Sequence, residues 1–395
     1  MILVGIDIGK YSHHFALVQK EDGEVLREPS EINNDLEGFD QLISSFRKYQ
    51  KKDILIGMED TGHYHFAILK HLLDKQYTVA LINPITTDLT RKMNGSITKT
   101  DDLDSLTICD VLSSNKKDKK PYRITKINRF DMYEQRCLTR HHHNLKEELN
   151  VYSNRLQKCI DVVFPEYNSL FKSKYGIVYM NVLKKYGSAD NIAKADIRSL
   201  RKCFEINRRG KRISLTAEKL KETAKNSIGI SSSSEVIQIR HLIGQIELIY
   251  AQLKEIDKKI EEFSRQINSP ILSIPGISHF SGTSILSELG DISNFTNPRQ
   301  VIKFSGTAPL TYESSQFKAQ HTKITKKGSK YLRKTLYQII LAVIQHNKVF
   351  GDYYALKLSQ GKSHRCAQGH CVRKLLRVIY HLLKTGQQFD PALLS

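Results

Sequence analysis

The chain has 395 residues, of which 61 are Lys or Arg and 41 are Asp or Glu, giving a formal net charge of +20, and 40% of it is hydrophobic. At roughly 150 residues per domain this length suggests two or three domains with real cores, which excludes a disordered tail or a mini-protein. A basic excess of this size points to a polyanionic partner, with nucleic acid the leading candidate, and no apolar run is long enough to span a bilayer.

The N-terminus, MILVGIDIGK, reads as a strand with no signal-peptide core or cleavage site, so a cytoplasmic protein is expected. Six scattered cysteines fit reduced thiols better than a disulfide framework. The charge is segregated along the chain. Residues 1–110 hold 12 Lys/Arg against 18 Asp/Glu, a net of −6, whereas residues 301–395 hold 16 against 3, a net of +13. An acidic head on a basic body suits an enzyme whose carboxylates hold divalent cations while the rest holds a nucleic acid.

In chain order, residues 2–9, 13–19 and 23–28 read as short strands with Asp22-Gly23 as a turn. A helix is expected over 35–49 behind an Asn34/Asp35 cap, then a strand at 53–60 and a helix over 64–75. A strand at 78–83, ended by Pro84, and a helix from about 101 to 114 follow. This is the element order of a ribonuclease-H-like α/β domain, placed at 1–125 with the NKKDKK stretch at 115–120 read as a linker.

Long helical patterns at 128–163 and 235–266 mark a helical or coiled-coil arm over 126–268. Its apolar seam includes Leu242, Ile246, Ile249, Leu253, Ile256 and Ile260, and its basic insertion includes NRRGKR at 207–212. The remainder, 269–395, is expected to be mostly helical. Its opening Pro-Gly-Ile is a turn between helices of the helix-hairpin-helix kind, where backbone N–H groups can hold a phosphate, or a plain packing turn.

Strand periodicity places Leu3, Gly5 and Asp7 on one face of the first strand, and Leu55, Gly57 and Glu59 on one face of another. Asp101 and Asp104 project together from a helix, with Asp102 about 100° away. Four such oxygen donors suit two Mg²⁺ ions about 4 Å apart, the arrangement used for phosphoryl displacement. Taken singly, each acid also reads as an ordinary strand-end acid or helix cap.

The segments GIDIGK at 5–10, GMEDTGHYH at 57–65 and KTDDLDS at 99–105 resemble the three motifs of the DEDD insertion-sequence transposases, whose N-terminal domain is RuvC-like. The resemblance implies that Asp7, Glu59, Asp101 and Asp104 are the metal-binding and catalytic quartet. The stretch GTAPLTYESSQFKAQHTKITKKGSKYLRKTL at 306–336 resembles the second signature of the same family, in which a serine follows a Gly-x-x-Pro-like turn by five residues. That position is Ser314, with Ser315 standing where the family usually has glycine. The resemblance makes this serine the nucleophile that joins covalently to DNA.

Lys323, Lys326, Lys327, Lys330 and Arg333 follow as candidate nucleic-acid contacts, with Lys326, Lys330 and Arg333 on one face if a helix begins near 325. Tyr312, Phe317 and Tyr331 lie among them. The resemblance further implies donor and target DNA, a structured guide (bridge) RNA, a dimer or tetramer, and a bacterial or archaeal, nucleoid-associated setting. Site-specific invertases of the Piv type share both signatures, and a RuvC-like nuclease would share the first. His141–His143, adjacent on a helix, cannot all face one ion, and the spacing of His364, Cys366, His370 and Cys371 does not suit zinc.

Overall fold

In the computed structural model the N-terminal apolar run becomes β1 (Ile2–Ile8), which pairs antiparallel with β2 (Ser12–Gln19) and parallel with β4 (Ile54–Glu59). With β3 (Val25–Asn33), β5 (Thr78–Ile82) and β6 (Tyr122–Thr125) these strands form one sheet in the order β3-β2-β1-β4-β5-β6. The structure describes every residue except 61, 96–99, 115–120, 126–131, 173, 206–213, 311–312, 315–316, 319–322 and 395. Two compact units result, Met1–Met132 and Tyr133–Ser395.

The central strands are apolar on both faces because both are covered. Val4, Ile6, Ile56, Met58 and Val79 are buried in one core with residues of α1 (Leu36–Phe46) and α2 (Phe66–Asp74). Leu3, Leu55, Ala80 and Ile82 are buried in a second core with Ile108, Cys109, Val111 and Leu112 of α4 (Asp101–Ser113). The three antiparallel strands and two parallel ones give the ribonuclease-H-like α/β arrangement expected from the sequence.

Two elements depart from that expectation. Pro84 does end a strand, but it also opens α3 (Pro84–Met93), with Asn83 as N-cap accepting from the Ile85 amide. Proline at the first helical position gives up only an amide that has no helical partner there. Beyond the expected linker, β6 returns antiparallel to β5 in register Ile82↔Tyr122 and so closes the sheet edge. The basic run at 115–120 lies outside the described residues.

The second unit is mostly helical. Its two long helices, α5 (Tyr133–Val163) and α10 (Ser233–Ile267), pack together, and the expected seam of Ile246, Ile249, Leu253, Ile256 and Ile260 is buried in their shared core, with Leu242 packed against it. Between them the chain is more helical than its polar composition suggested. Four short helices, α6 (Ile177–Lys185), α7 (Ala189–Lys194), α8 (Ile197–Lys202) and α9 (Ala217–Lys225), add Tyr179, Leu183, Ile192, Leu200 and Leu220 to that core. NRRGKR lies outside the described residues.

The unit continues through α11 (His279–Leu289), α12 (Pro298–Phe304), α13 (Lys330–His346), α14 (Lys348–Ser359) and α15 (His364–Thr385). Because α11 packs on α5 and α10, the segment expected as an arm and the C-terminal part form one compact unit. The Pro-Gly turn is a packing device. Gly276 has φ 97, and a Cβ there would stand 2.7 Å from the Val343 backbone nitrogen of α13. Among the described residues no helix is long and apolar enough to cross a membrane.

Candidate active site

Gly5 and Gly57 each lie two residues before an acid and on the same strand face as that acid, and α4 crosses the sheet over both of them. A Cβ on Gly5 would overlap the Ser105 carbonyl oxygen, and one on Gly57 would lie 2.7 Å from Leu112 Cδ1. Backbone contact therefore brings the first turn of α4 beside the C-terminal ends of β1 and β4. That turn starts at Thr100, whose hydroxyl accepts from the Leu103 amide, and it carries Asp101, Asp102 and Asp104, where acidic side chains favour a helix N-terminus.

The four predicted acids meet there. Asp7 is pushed up from the usual carboxylate range to about 6, first by burial and then by Asp104, Asp101 and Glu59. Loss of hydration and like charge both disfavour the ionised carboxylate. Asp102, on another side of the helix, bonds His14 Nδ1 at 2.8 Å. His14 is the cross-strand partner of Asp7 and also lies 3.9 Å from Asp101.

Helix α3 supplies further contacts. The Thr87 hydroxyl donates to the Glu59 carboxylate, and Arg91 Nη1 donates to Asp104 Oδ1 at 2.8 Å while Nη2 donates to Asp88 Oδ1 at 2.8 Å. Sequence reasoning missed His14, Thr87 and Arg91. The register Asp7↔His14 follows from the β1–β2 hairpin, and the Asn83-Pro84 pair is the start signal of the helix that carries Thr87 and Arg91, so all three had a readable trace.

A metal would find hard oxygen donors and excess negative charge at this place, and the raised carboxyl of Asp7 is the observation that fits a divalent cation there. Asp7, Glu59, Asp101 and Asp104 are the residues that would hold it. Among the described residues no three His, Cys, Asp or Glu side chains are already closed into a metal-binding group. The guanidinium of Arg91 forms an ion pair with Asp104.

The serine signature lies in the second unit, on the segment joining α12 and α13. Its base is tied by Leu310 N–H to the Lys323 carbonyl and Thr325 N–H to the Ala308 carbonyl, with Pro309 bridged to Ile324. Further out, β7 (Glu313–Ser314) pairs antiparallel with β8 (Phe317–Lys318), Ser314 opposite Phe317. Ser314 is thus held on a two-stranded ribbon. Ser315 and Tyr312 lie outside the described residues.

The helix expected to begin near 325 begins at Lys330 instead. Lys326 has φ 52 and Gly328 φ 123, backbone values that cannot continue into a helix. The stripe of Lys326, Lys330 and Arg333 is therefore broken. Arg333 donates to the carbonyls of Ser305 and Lys326 and so braces the loop from within, whereas Lys323, Lys326, Lys327 and Lys330 are placed at its surface. Tyr331 is used in packing, with Arg140 5.0 Å from its ring centroid and its hydroxyl bonded to Asn144.

Beneath that loop lies a buried polar network. Glu288 of α11 accepts two bonds from Arg140 of α5, at 2.6 and 3.0 Å, and one at 2.7 Å from the hydroxyl of Ser329, the N-cap of α13. Burial holds His142 and His143 down at about 4. His143 bonds Thr335, and His142 lies 3.3 Å from Asp257, so this pair serves packing.

The first unit is a ribonuclease-H-like α/β domain with carboxylates at the ends of two adjacent parallel strands. The chain belongs to the DEDD transposases of insertion sequences. One transposase family model matches residues 4–165, and the model of the IS116/IS110/IS902 transposase family matches residues 268–355. The mini-circle transposase for IS117 from Streptomyces coelicolor is 22% identical over 98% of this chain and 95% of its own length. The transposase of insertion sequence element IS1111A from Coxiella burnetii is 29% identical over 40% of this chain and 41% of its own. The pilin gene-inverting protein of Moraxella bovis is 24% identical over 38% of this chain and 47% of its own. A solved structure of T. thermophilus RuvC in complex with a Holliday junction substrate aligns with 28% of this chain and 90% of that chain, at 12% identity and a TM-score of 0.22.

Proposed function

We propose that the protein cleaves and rejoins DNA as the recombinase of its insertion sequence, through a covalent phosphoserine–DNA link at Ser314. The convergence of Asp101, Asp104 and Glu59 on Asp7 carries this reading, because a buried carboxyl facing three further acids resists ionisation and gains from a divalent cation. Bound Mg²⁺ supplies charge stabilisation for the transferring phosphoryl group and activation of a weak nucleophile.

The work of the chain itself is to position. Gly5 and Gly57 admit α4, Thr87 orients Glu59, and His14 holds Asp102 while the quartet faces the site. In the transfer, the bond from Ser314 Oγ to phosphorus forms as the bond from phosphorus to a deoxyribose oxygen breaks. The serine proton is lost and the departing deoxyribose oxygen takes one up to become a free hydroxyl, so one phosphodiester replaces another without hydrolysis. Lys323, Lys326, Lys327 and Lys330 bind the DNA backbone. An element-encoded structured RNA guides the choice of donor and target, and the active unit is a dimer or tetramer.

The similarity to the pilin gene-inverting protein favours a second reading, inversion of a fixed DNA segment without an RNA guide. One assay separates these readings. Labelled element-junction DNA is incubated with Mg²⁺, with and without RNA transcribed from the gene's flanks, using wild type, Ser314→Ala and Asp7→Ala. A protein–DNA adduct lost in both variants is the expected result, and its dependence on RNA chooses between transposition and inversion. Free nicks produced equally by Ser314→Ala would overturn the serine mechanism and leave a metal nuclease.

A further inference from the structure

A cavity of about 490 Å³ opens between α14, α15 and the segment after α15, within the roughly 300–1,000 Å³ range of small-molecule sites. Its apolar lining includes buried Val378 and Leu382, with Tyr353 of α14 and Phe389 of the returning segment. That segment turns at Gly386, φ 71, and is fastened by the Phe389 amide to Ser273 Oγ at 2.8 Å. The aromatic side of the cavity is therefore built by the tertiary structure.

Two cations and an imidazole line the same cavity. Lys374, Arg377 and His381 contribute to it, and Lys384 extends their spacing along one face of α15. Lys374 Nζ stands 4.9 Å from the Tyr353 ring centroid. The one acid in the lining is Asp390, which accepts a bond from the Ala392 amide.

We infer that this cavity binds one unpaired nucleotide of a single-stranded nucleic acid, its base among Tyr353, Phe389, Val378 and Leu382 and its phosphate against Lys374, Arg377 and His381. Aromatic surface beside cations is the chemistry that single strands recognise. A duplex cannot use it, because its bases are already stacked and paired. The basic C-terminal segment, net +13 over 301–395, supplies charge complementarity. The inference rests on the reading of this chain as a nucleic-acid enzyme and assigns that partner a second site, away from the serine ribbon in sequence.

The test uses the full-length protein with fluorescent twelve-nucleotide oligomers bearing 5-iodouracil, made as RNA and as DNA, beside a duplex control. Irradiation is expected to join the oligomer to a peptide containing Tyr353 or Phe389. Tyr353→Leu should weaken single-strand binding about tenfold and leave duplex binding within twofold. Arg377→Gln, at an exposed position that does not threaten folding, should lower the slope of log affinity against log salt by about 0.7 for the single strand. The RNA and DNA arms identify which strand is the source. Unchanged single-strand affinity in both variants, or equal losses on duplex, would overturn the inference while leaving the recombinase reading intact. No binding to any nucleic acid would overturn both.

Discussion

Gly5 and the carbonyl of Ser105 are in backbone contact, so that no side chain can stand between β1 and α4 at that point. This contact sets how closely Asp101 and Asp104 approach Asp7. Gly5→Ala should therefore cost about 1–3 kcal/mol through overpacking and weaken Mg²⁺ binding by shifting α4. As a control, Gly244→Ala, in the open middle of α10, should stabilise by about 0.5–1 kcal/mol. Thermal melts of both variants with Mg²⁺ calorimetry on the first would check this, and unaltered binding in Gly5→Ala would show that α4 has room to move.

The raised carboxyl of Asp7 gives a pH prediction whose sign is fixed by linkage. Between the unfolded value of 3.8 and about 6 the folded state holds more protons than the unfolded one, so this group's contribution is present at low pH and lost as pH rises through 6. In EDTA, Asp7→Asn should melt above wild type at pH 8, and the gap should close as pH falls from 6 to 4. Added Mg²⁺ should raise the melting temperature of wild type at pH 8 and leave Asp7→Asn unmoved. A gap that does not vary with pH would remove Asp7 from the crowded cluster.

Arg91 competes with any cation for Asp104. Arg91→Gln should then tighten Mg²⁺ binding by about tenfold, the scale of one charge-assisted hydrogen bond, while lowering the melting temperature of the metal-free protein. Weaker Mg²⁺ binding in this variant would mean that Arg91 helps to shape the quartet and does not compete with it.

Glu288 joins the arm to the helix that follows the serine ribbon. Glu288→Ala strips a partner from both Arg140 and Ser329 and should cost about 3 kcal/mol, read from urea unfolding followed by tyrosine fluorescence. Glu288→Gln, which keeps a carbonyl acceptor, should lose less. Equal losses in the two variants would mean that volume matters at this position more than charge.

The sequence made the two glycine–acid pairs legible because strand periodicity fixes which residues share a face, and the burial of Leu3 and Leu55 with α4 agrees with that face. Helix α4 was equally readable from its acidic first turn. Helix α3 was obscured because Asn83-Pro84 serves both as strand stop and as helix start, and only the start brings Thr87 and Arg91 to the site. His14 needed the hairpin register, which pairs it with Asp7. Arg333 was read as a surface cation since nothing local announces that carbonyls across a loop will claim its guanidinium. Composition also hid the small helices between α5 and α10, whose stability comes from tyrosines buried at long range.

Three acids at the site have side-chain partners within the chain, Asp104 in Arg91, Glu59 in Thr87 and Asp102 in His14, and the first turn of α4 has its own amide ends. Hydrogen bonds within the chain thereby tie these acids into the fold, whereas in small metal-dependent domains the ion itself supplies the folding energy. A gene copy that has lost one of the four acids would still yield a well-folded protein with its basic surfaces intact. On the recombinase reading proposed above, such a copy is expected to keep its hold on DNA through Lys323, Lys326, Lys327 and Lys330 while losing the cleavage step, and so to compete with an intact one.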